Sequence, residues 1–320
     1  MKQPLIDIVT GRRNRQGLWV LPLLMALAIV AFLTARTDHM LRPDNLFNLT
    51  AQAMPLVITA IGQMFVVLIG GLDLSVGGVI SFTTAILALG GPAYILIPAV
   101  FVLAAIIGAV NGIAVSRLNV HPIIATLAMQ YIILGVTLIL RPVAGGSVPH
   151  FVIAAVGGSF LGLPMPVYWG IGVVLVSWKL VYGSRFGLHL FAIGGGTASG
   201  MTDAARNVGI ADRRNMVLAY VASSCFAAAA GVFLAGRIVS GDPAVGTGYE
   251  ISAITAVAVG GTQLSGGIGS LHGTIIGAMV LALLSNGMTL LNVTPFIQTA
   301  IQGVILLLVV ATQTRKKMGL

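Results

Sequence analysis

The chain has 320 residues, of which 57% are hydrophobic and 8% charged, with a net charge of +9 and a mean hydropathy of +1.02. A soluble domain carries about 25% charge, so these few charges cannot cover a water-facing surface of this size. The composition specifies an all-α polytopic membrane protein, and the positive balance is no sign of nucleic-acid binding, because the bases cluster in short segments between apolar runs, as topology signals do.

In chain order, 11-GRRNRQG-17 precedes an apolar run over 18–35. That run is too long for a cleaved leader and is read as a retained first span. A helix needs about 20 apolar residues to cross the hydrocarbon core. On that measure about ten spans are expected, near 18–35, 51–71, 75–90, 94–115, 122–140, 166–182, 215–236, 250–266, 271–291 and 296–312. The third is short, and the Gly-rich junctions are candidates for re-entrant segments.

Orientation follows from Lys and Arg. With the N-terminus inside, thirteen bases lie on the inner side and only Arg36, Arg42, Arg141 and Arg237 lie outside. The positive-inside rule then places both termini in the cytoplasm. The expected layout is a cytoplasmic segment 1–17, one transmembrane domain 18–312 containing a cytoplasmic loop 183–214, and a basic tail 313–320. The echo of 119-NVHPIIAT-126 in 292-NVTPFIQT-299 begins two spans of opposite direction, as inverted halves would. A second echo, 70-GGLDLS-75 in 260-GGTQLS-265, has a different offset and cannot share one simple repeat with the first.

Much chemistry is absent. No lysine follows a glycine, so there is no phosphate loop and no ATPase site; no metalloprotease helix or nucleophile turn occurs either. The chain is read as a transport subunit and not an enzyme. The five histidines are scattered without metal-ligand spacing. Asp73 and Glu250 are the acids nearest membrane depth, which weakens an ion-coupled reading without excluding it. Cys225, inside an apolar run, is expected to sit as a small hydrophobe.

The long polar segment around 194-GGGTASGMTDAARNVGIADRRN-215 stands out. Thr202 can cap a helix, Asp203 suits its first turn, Ala204, Ala205 and Arg206 are good helix formers, and Gly209 suits a left-handed end. Gly194, Gly195, Gly196 and Gly200 are read as a sharp reversal before it, and Ile210 as an apolar tip. Either a docking knob or a solvated loop fits these residues. In 70-GGLDLSVGG-78, Asp73 or Ser75 can cap the helix starting near Val76, or line a passage. In 260-GGTQLSGGIGSLHG-273, six glycines predict a break between helices.

These three motifs, in this order, resemble those of the sugar-type ABC importer permeases, the ribose, xylose and autoinducer-2 group. Their coupling loop carries a G-G-N-x-x-A-A-R-x-x-G-I-like pattern, matched here by Gly194, Gly195, Ala204, Ala205, Arg206, Gly209 and Ile210. The resemblance implies that Asp203, Ala204, Ala205, Arg206, Gly209 and Ile210 couple to an ABC ATPase subunit. It also implies a second permease subunit in the bilayer, with the passage at their interface, and an extracellular or periplasmic sugar-binding protein. ATP-Mg would bind the partner ATPase, with no cofactor on this chain, and the site would be a bacterial inner membrane. Candidate passage or gate residues are Asp73, Ser75, Gln63, Asn111, Gln263 and Asn286. Gln52, Gln130, Gln298 and Gln302 are further amides inside spans, and all of these can instead bond helix to helix. A nucleoside permease, a gradient-driven carrier acting alone and a membrane scaffold remain alternatives.

Overall fold

The computed structural model describes residues 20–199 and 209–312. Among them are twelve helices: α1 Val20–Arg36, α2 Pro43–Leu68, α3 Val76–Leu87, α4 Ala93–Ser116, α5 Pro122–Leu140, α6 His150–Val156, α7 Met165–Tyr182, α8 Arg185–Ser199, α9 Asp212–Ile238, α10 Tyr249–Val259, α11 Leu271–Leu290 and α12 Pro295–Thr312. A two-stranded hairpin, β1 Ser159–Phe160 and β2 Leu163–Pro164, joins α6 to α7. Six helices, α2, α4, α5, α7, α9 and α11, are long and apolar enough to cross a membrane. The starts obey local chemistry. Proline opens α2 and α5 at the first turn, where its missing N–H costs nothing.

Ten apolar segments fall where expected, with two differences of length. α2 begins at Pro43, several residues ahead of the expected span, and α10 ends at Val259, leaving 260–270 outside any helix. The segment 183–214 is not a plain loop. α8 occupies Arg185–Ser199, so Gly194, Gly195 and Gly196 lie within a helix and make no reversal. The expected helix around Asp203, Ala204, Ala205 and Arg206, and the termini 1–17 and 313–320, lie outside the described residues.

α9 is the central post. It packs against α4, α2 and α3, and small residues set the spacing. A Cβ at Gly108 of α4 would stand 2.5 Å from the Tyr220 carbonyl oxygen, and one at Gly231 of α9 would stand 2.6 Å from Thr83 of α3. Between lipid-embedded helices little hydrophobic force remains, so close backbone approach and dispersion do the joining. Phe65 of α2 packs on Phe186 and Phe226 with ring centroids 5.9 and 5.7 Å apart. α1 is attached to the far side through Leu33, which fills the space beside Gly287 of α11. The outward faces of α4, α5, α7 and α12 are apolar, as lipid contact requires; Ile139 is 83% exposed and Phe296 86%.

The sequence echo has a structural counterpart. Asn119 and Asn292 both take left-handed backbone, φ 53° and 58°, and each precedes a proline that opens a helix. Shifting by the 173 positions between them carries α3 onto 249–260 and α5 onto 295–313, almost the limits of α10 and α12. It also pairs the long α2 with the long α9. These two run antiparallel, since Gly62 meets Phe226 while the later Gly71 meets the earlier Tyr220. Each half thus has a long helix, a short one of 12 or 11 residues, and two more spans.

Replacing Gly108 by alanine should force α4 from α9 and cost about 1–3 kcal/mol. Gly135→Ala, where a Cβ meets nothing within 4 Å, serves as the control. Thermal unfolding in detergent should show a drop of several degrees for the first and none for the second.

Candidate functional site

Three glycine-rich segments meet at the end of the bundle where α2 stops. After Leu68 the chain turns through Gly70 at φ +79°. The segment between α10 and α11 crosses beneath it, and Gly267 N donates to Leu68 O at 2.9 Å. A Cβ on Gly266 would lie 2.7 Å from Gly70 N, and one on Gly267 would lie 2.6 Å from Gly195 N. One on Gly194 would run into both Leu68 O and Gly267 N. The 70–75 motif, α8 at Gly194 and the 260–270 break therefore stack backbone on backbone, and Gly194, Gly266 and Gly267 leave no room for a larger residue.

The break itself is short and ordered. Gln263 N donates to Ile268 O at 2.9 Å and Gln263 O accepts from Gly266 N at 3.0 Å, so the backbone of Gln263 closes the loop. Ser270 caps α11, its hydroxyl accepting from Gly273 N at 3.0 Å. Leu271 N donates to Tyr182 OH at 3.2 Å, and Trp178, Tyr182 and His272 pack ring to ring. The end of α7 is thereby fixed to the start of α11. Beyond α8, Gly209 has φ +80°, as a left-handed position requires, and the half-buried Ile210 rests on the main core. It is not a free apolar tip.

Four predicted residues converge at the joint of α2, α3 and α4. Asp73 is fully buried. Its Oδ1 accepts from Ser75 N at 3.0 Å and from Ser75 Oγ at 2.6 Å. Ser75 Oγ in turn accepts from Asn111 Nδ2 at 2.9 Å. The Gln63 side-chain amide, oriented so that donors meet acceptors, donates to Asp73 O at 3.0 Å and accepts from Asp73 N at 3.1 Å. Thr126 of α5 completes the joint, accepting from Leu74 N at 3.1 Å. Ser75 occupies the cap position of α3 without a side-chain cap bond, so Asp73 shapes the turn before the helix and does not cap its first turn. Such a network rigidifies the interior where its members are paired; Asp73 Oδ2 is buried there without a hydrogen-bond partner among the described residues. The remaining predicted residue, Asn286, lies at the opposite end, where it exchanges amide bonds of 3.1 and 3.2 Å with Asn45.

The open polar space is elsewhere. A cavity of about 510 Å³ lies among α2, α10, α11 and α12, with Gln52, Ser252, Ser285, Thr299 and Gln302 on its walls. Ser252 Oγ donates to Gln302 Oε1 at 3.2 Å and Gln52 Nε2 to Ser285 Oγ at 3.3 Å. Neutral amides and hydroxyls share its walls with Leu56, Ile251, Leu281 and Ala282, and among the described residues no charged side chain lines it. Gln52 and Gln302 are visible in sequence as amides within apolar runs; Ser252, Ser285 and Thr299 carry no such signal, because small hydroxyls are common in membrane helices and often bond back to their own helix. A larger apolar groove of about 680 Å³ lies between α4, α7 and α9, bordered by Trp169 and by the half-buried Cys225.

Asp73→Asn keeps the Oδ1 acceptor and should leave thermal stability in detergent nearly unchanged. Asp73→Ala strands two buried donors on Ser75 and should cost about 1–3 kcal/mol, read as a lowered melting temperature of the purified protein.

The sequence pattern of the branched-chain amino acid transport system / permease component family matches residues 45–310. The ribose import permease protein RbsC of Escherichia coli (strain K12) is 35% identical over 97% of this chain and 98% of its own length. Its namesake in Bacillus subtilis (strain 168) is 32% identical over 92% of each. The D-allose transport system permease protein AlsC of Escherichia coli (strain K12) is 28% identical over 90% of this chain and 89% of its own length. No solved structure gives a significant match. The chain therefore belongs to the branched-chain amino acid transport system / permease component family, as a multi-pass membrane protein.

Proposed function

We propose that the chain is the membrane-spanning subunit of an ABC importer that carries a monosaccharide or related polyol across a bacterial inner membrane. One observation carries this: the likeness to ribose import permeases extends over nearly the whole of both chains. The neutral lining of the cavity among α2, α10, α11 and α12 supports a sugar over a charged solute.

The subunit works with a second permease copy or homologue, an ATPase binding ATP-Mg, and a soluble sugar-binding protein. No residue of this chain hydrolyses ATP in this scheme. The end of the bundle bearing the glycine stack faces the cytoplasm in this scheme, which the distribution of basic residues supports. The segment Asp203–Arg206, with Gly209, docks on the ATPase, and Ile210 ties that segment to the core. Movement there reaches α8, and α8 touches Leu68 and Gly267 directly through Gly194. From Leu68 the chain runs five residues to Asp73. The Asp73–Ser75–Asn111–Gln63 joint is then a stiff brace that passes motion from α2 to α3 and α4, and the walls of the passage tilt as bodies. Nucleotide binding biases the two arrangements only by its different affinity for them.

Liposomes holding this chain with its ATPase and loaded binding protein should accumulate labelled sugar only when ATP is enclosed on the ATPase side. Uptake by the chain alone, without ATP or partners, would overturn the scheme.

Arg206→Glu should leave the complex inserted and the ATPase able to hydrolyse ATP, while uptake falls by at least about tenfold, a loss worth about 1.4 kcal/mol of coupling. Sugar accumulation and phosphate release measured on the same vesicles check this.

A further inference from the structure

The segment between α9 and α10 does not stay at the end of the bundle. Gly241 exchanges backbone bonds of 2.9 Å with Gly145, beside the end of α3. Asp242 N donates to Thr84 Oγ1 at 3.2 Å. Gly246 N then donates to Ser81 Oγ at 2.9 Å, and Glu250 reaches Gly77. The chain therefore descends along α3 from its last turn to its first, by roughly 10 Å at 1.5 Å per residue. α10 starts there, inside the bundle.

At that point the N-termini of the two short helices meet. Gly77 and Glu250 also correspond under the 173-residue shift between halves, so the meeting lies close to the axis that relates them. Gly77 has no side chain, and the Glu250 carboxylate and Gly246 O occupy the space beside it. A cavity of about 240 Å³ opens here, lined by Ser81, Gln130, Tyr131, Thr247 and Glu250 among others. Gln130 sits near the middle of the 19-residue α5, so the cavity is at membrane depth.

Its donors and acceptors are arranged and incompletely used. Gln130 Oε1 accepts from Gly78 N at 2.7 Å, which turns its NH₂ away from Gly78. The Glu250 oxygens accept from Gly248 N at 3.1 and 3.2 Å and from the residue's own backbone N–H, two donors for a carboxylate with about four acceptor sites. The Tyr131 ring stands exposed at the rim. A carboxylate at this depth is costly, and such groups mark solute paths. The volume is below the range of drug-sized pockets, about 300–1,000 Å³, and suits a single small ring. Thr247 belongs to both this cavity and the 510 Å³ one beyond Gly248, so the two chambers share a wall at a glycine with φ +91°.

We propose that this cavity is a sugar-binding station on the passage. In it Glu250 accepts hydrogen bonds from sugar hydroxyls, Gln130 donates to a sugar oxygen, and Tyr131 covers the apolar face of the ring. The assignment rests on the sugar-import reading above.

The test uses the complete importer in liposomes at saturating loaded binding protein, with ribose, allose, galactose and arabinose as labelled probes. Glu250→Gln retains an oxygen for Gly248 N and should assemble. Its uptake of the preferred sugar should fall about tenfold or more, the scale of one lost charged hydrogen bond. Gln130→Leu should change the rank order of the four sugars, which a purely structural role would not do. In a Cys225→Ser background, Thr247→Cys should react with a small maleimide severalfold more slowly when one of these sugars saturates the vesicles. Wild-type rates and rank order in both variants, or labelling blind to every sugar, overturn the station while leaving sugar import intact. Wild-type vesicles that accumulate none of the sugars overturn the import reading and the station with it. Uptake that disappears when potassium replaces sodium, and does so only with Glu250 present, would assign the cavity to a cation and overturn the sugar assignment.

Discussion

The contact between Leu68 O and Gly267 N, closed from below by Gly194, is the constraint on which the rest of the architecture depends. Three stretches of backbone far apart in sequence share one small volume there. Any side chain at the crossing separates them, because the obstructing atoms are main-chain atoms that cannot rotate aside. In a bilayer the usual force for clamping elements together is weak, since lipid tails are as apolar as leucine. Shape at close range takes over that work. α8 is thereby placed in register with the end of α2 and the start of α11.

The buried polar joint is the second consequence of the setting. An unpaired peptide group at membrane depth costs several kcal/mol. The chain leaves helix between Leu68 and Val76 and must answer for its exposed backbone. Gln63 covers both polar groups of Asp73, Thr126 receives Leu74 N, and Asp73 itself receives Ser75 N. The side chains of Gln63, Asp73 and Thr126 thus allow a helix to break inside the protein. The same requirement explains the break after Val259, where Gln263 and Ser270 serve the loop and the next helix.

Most of the helical layout was legible, because an apolar run bounded by proline or charge has few other outcomes in a membrane. The limits of α5 and α7 needed nothing more. α8 was not legible. Residues 185–199 hold three consecutive glycines, and local propensity reads these as a bend; contacts with α7, α9 and the end of α2 hold them helical. The error has a physical root, since glycine permits both turning and touching and only the tertiary partner decides between them. Asp73 and Ser75 could be singled out as polar groups beside a helix start, but their tie to Gln63 and Asn111 joins residues up to 48 positions apart. The echo of Asn119 in Asn292 was visible as letters; that it relates the two short helices became visible only with their limits.

The place where those short helices touch has a mechanical consequence. Gly77 and Glu250 exchange under the relation between halves and also adjoin each other, so they sit near the line about which one half maps onto the other. Were the halves to rock about that line, atoms there would be displaced least and the two mouths of the bundle most, in opposite senses. A solute resting at the fulcrum would see its exits exchanged while its own surroundings scarcely changed.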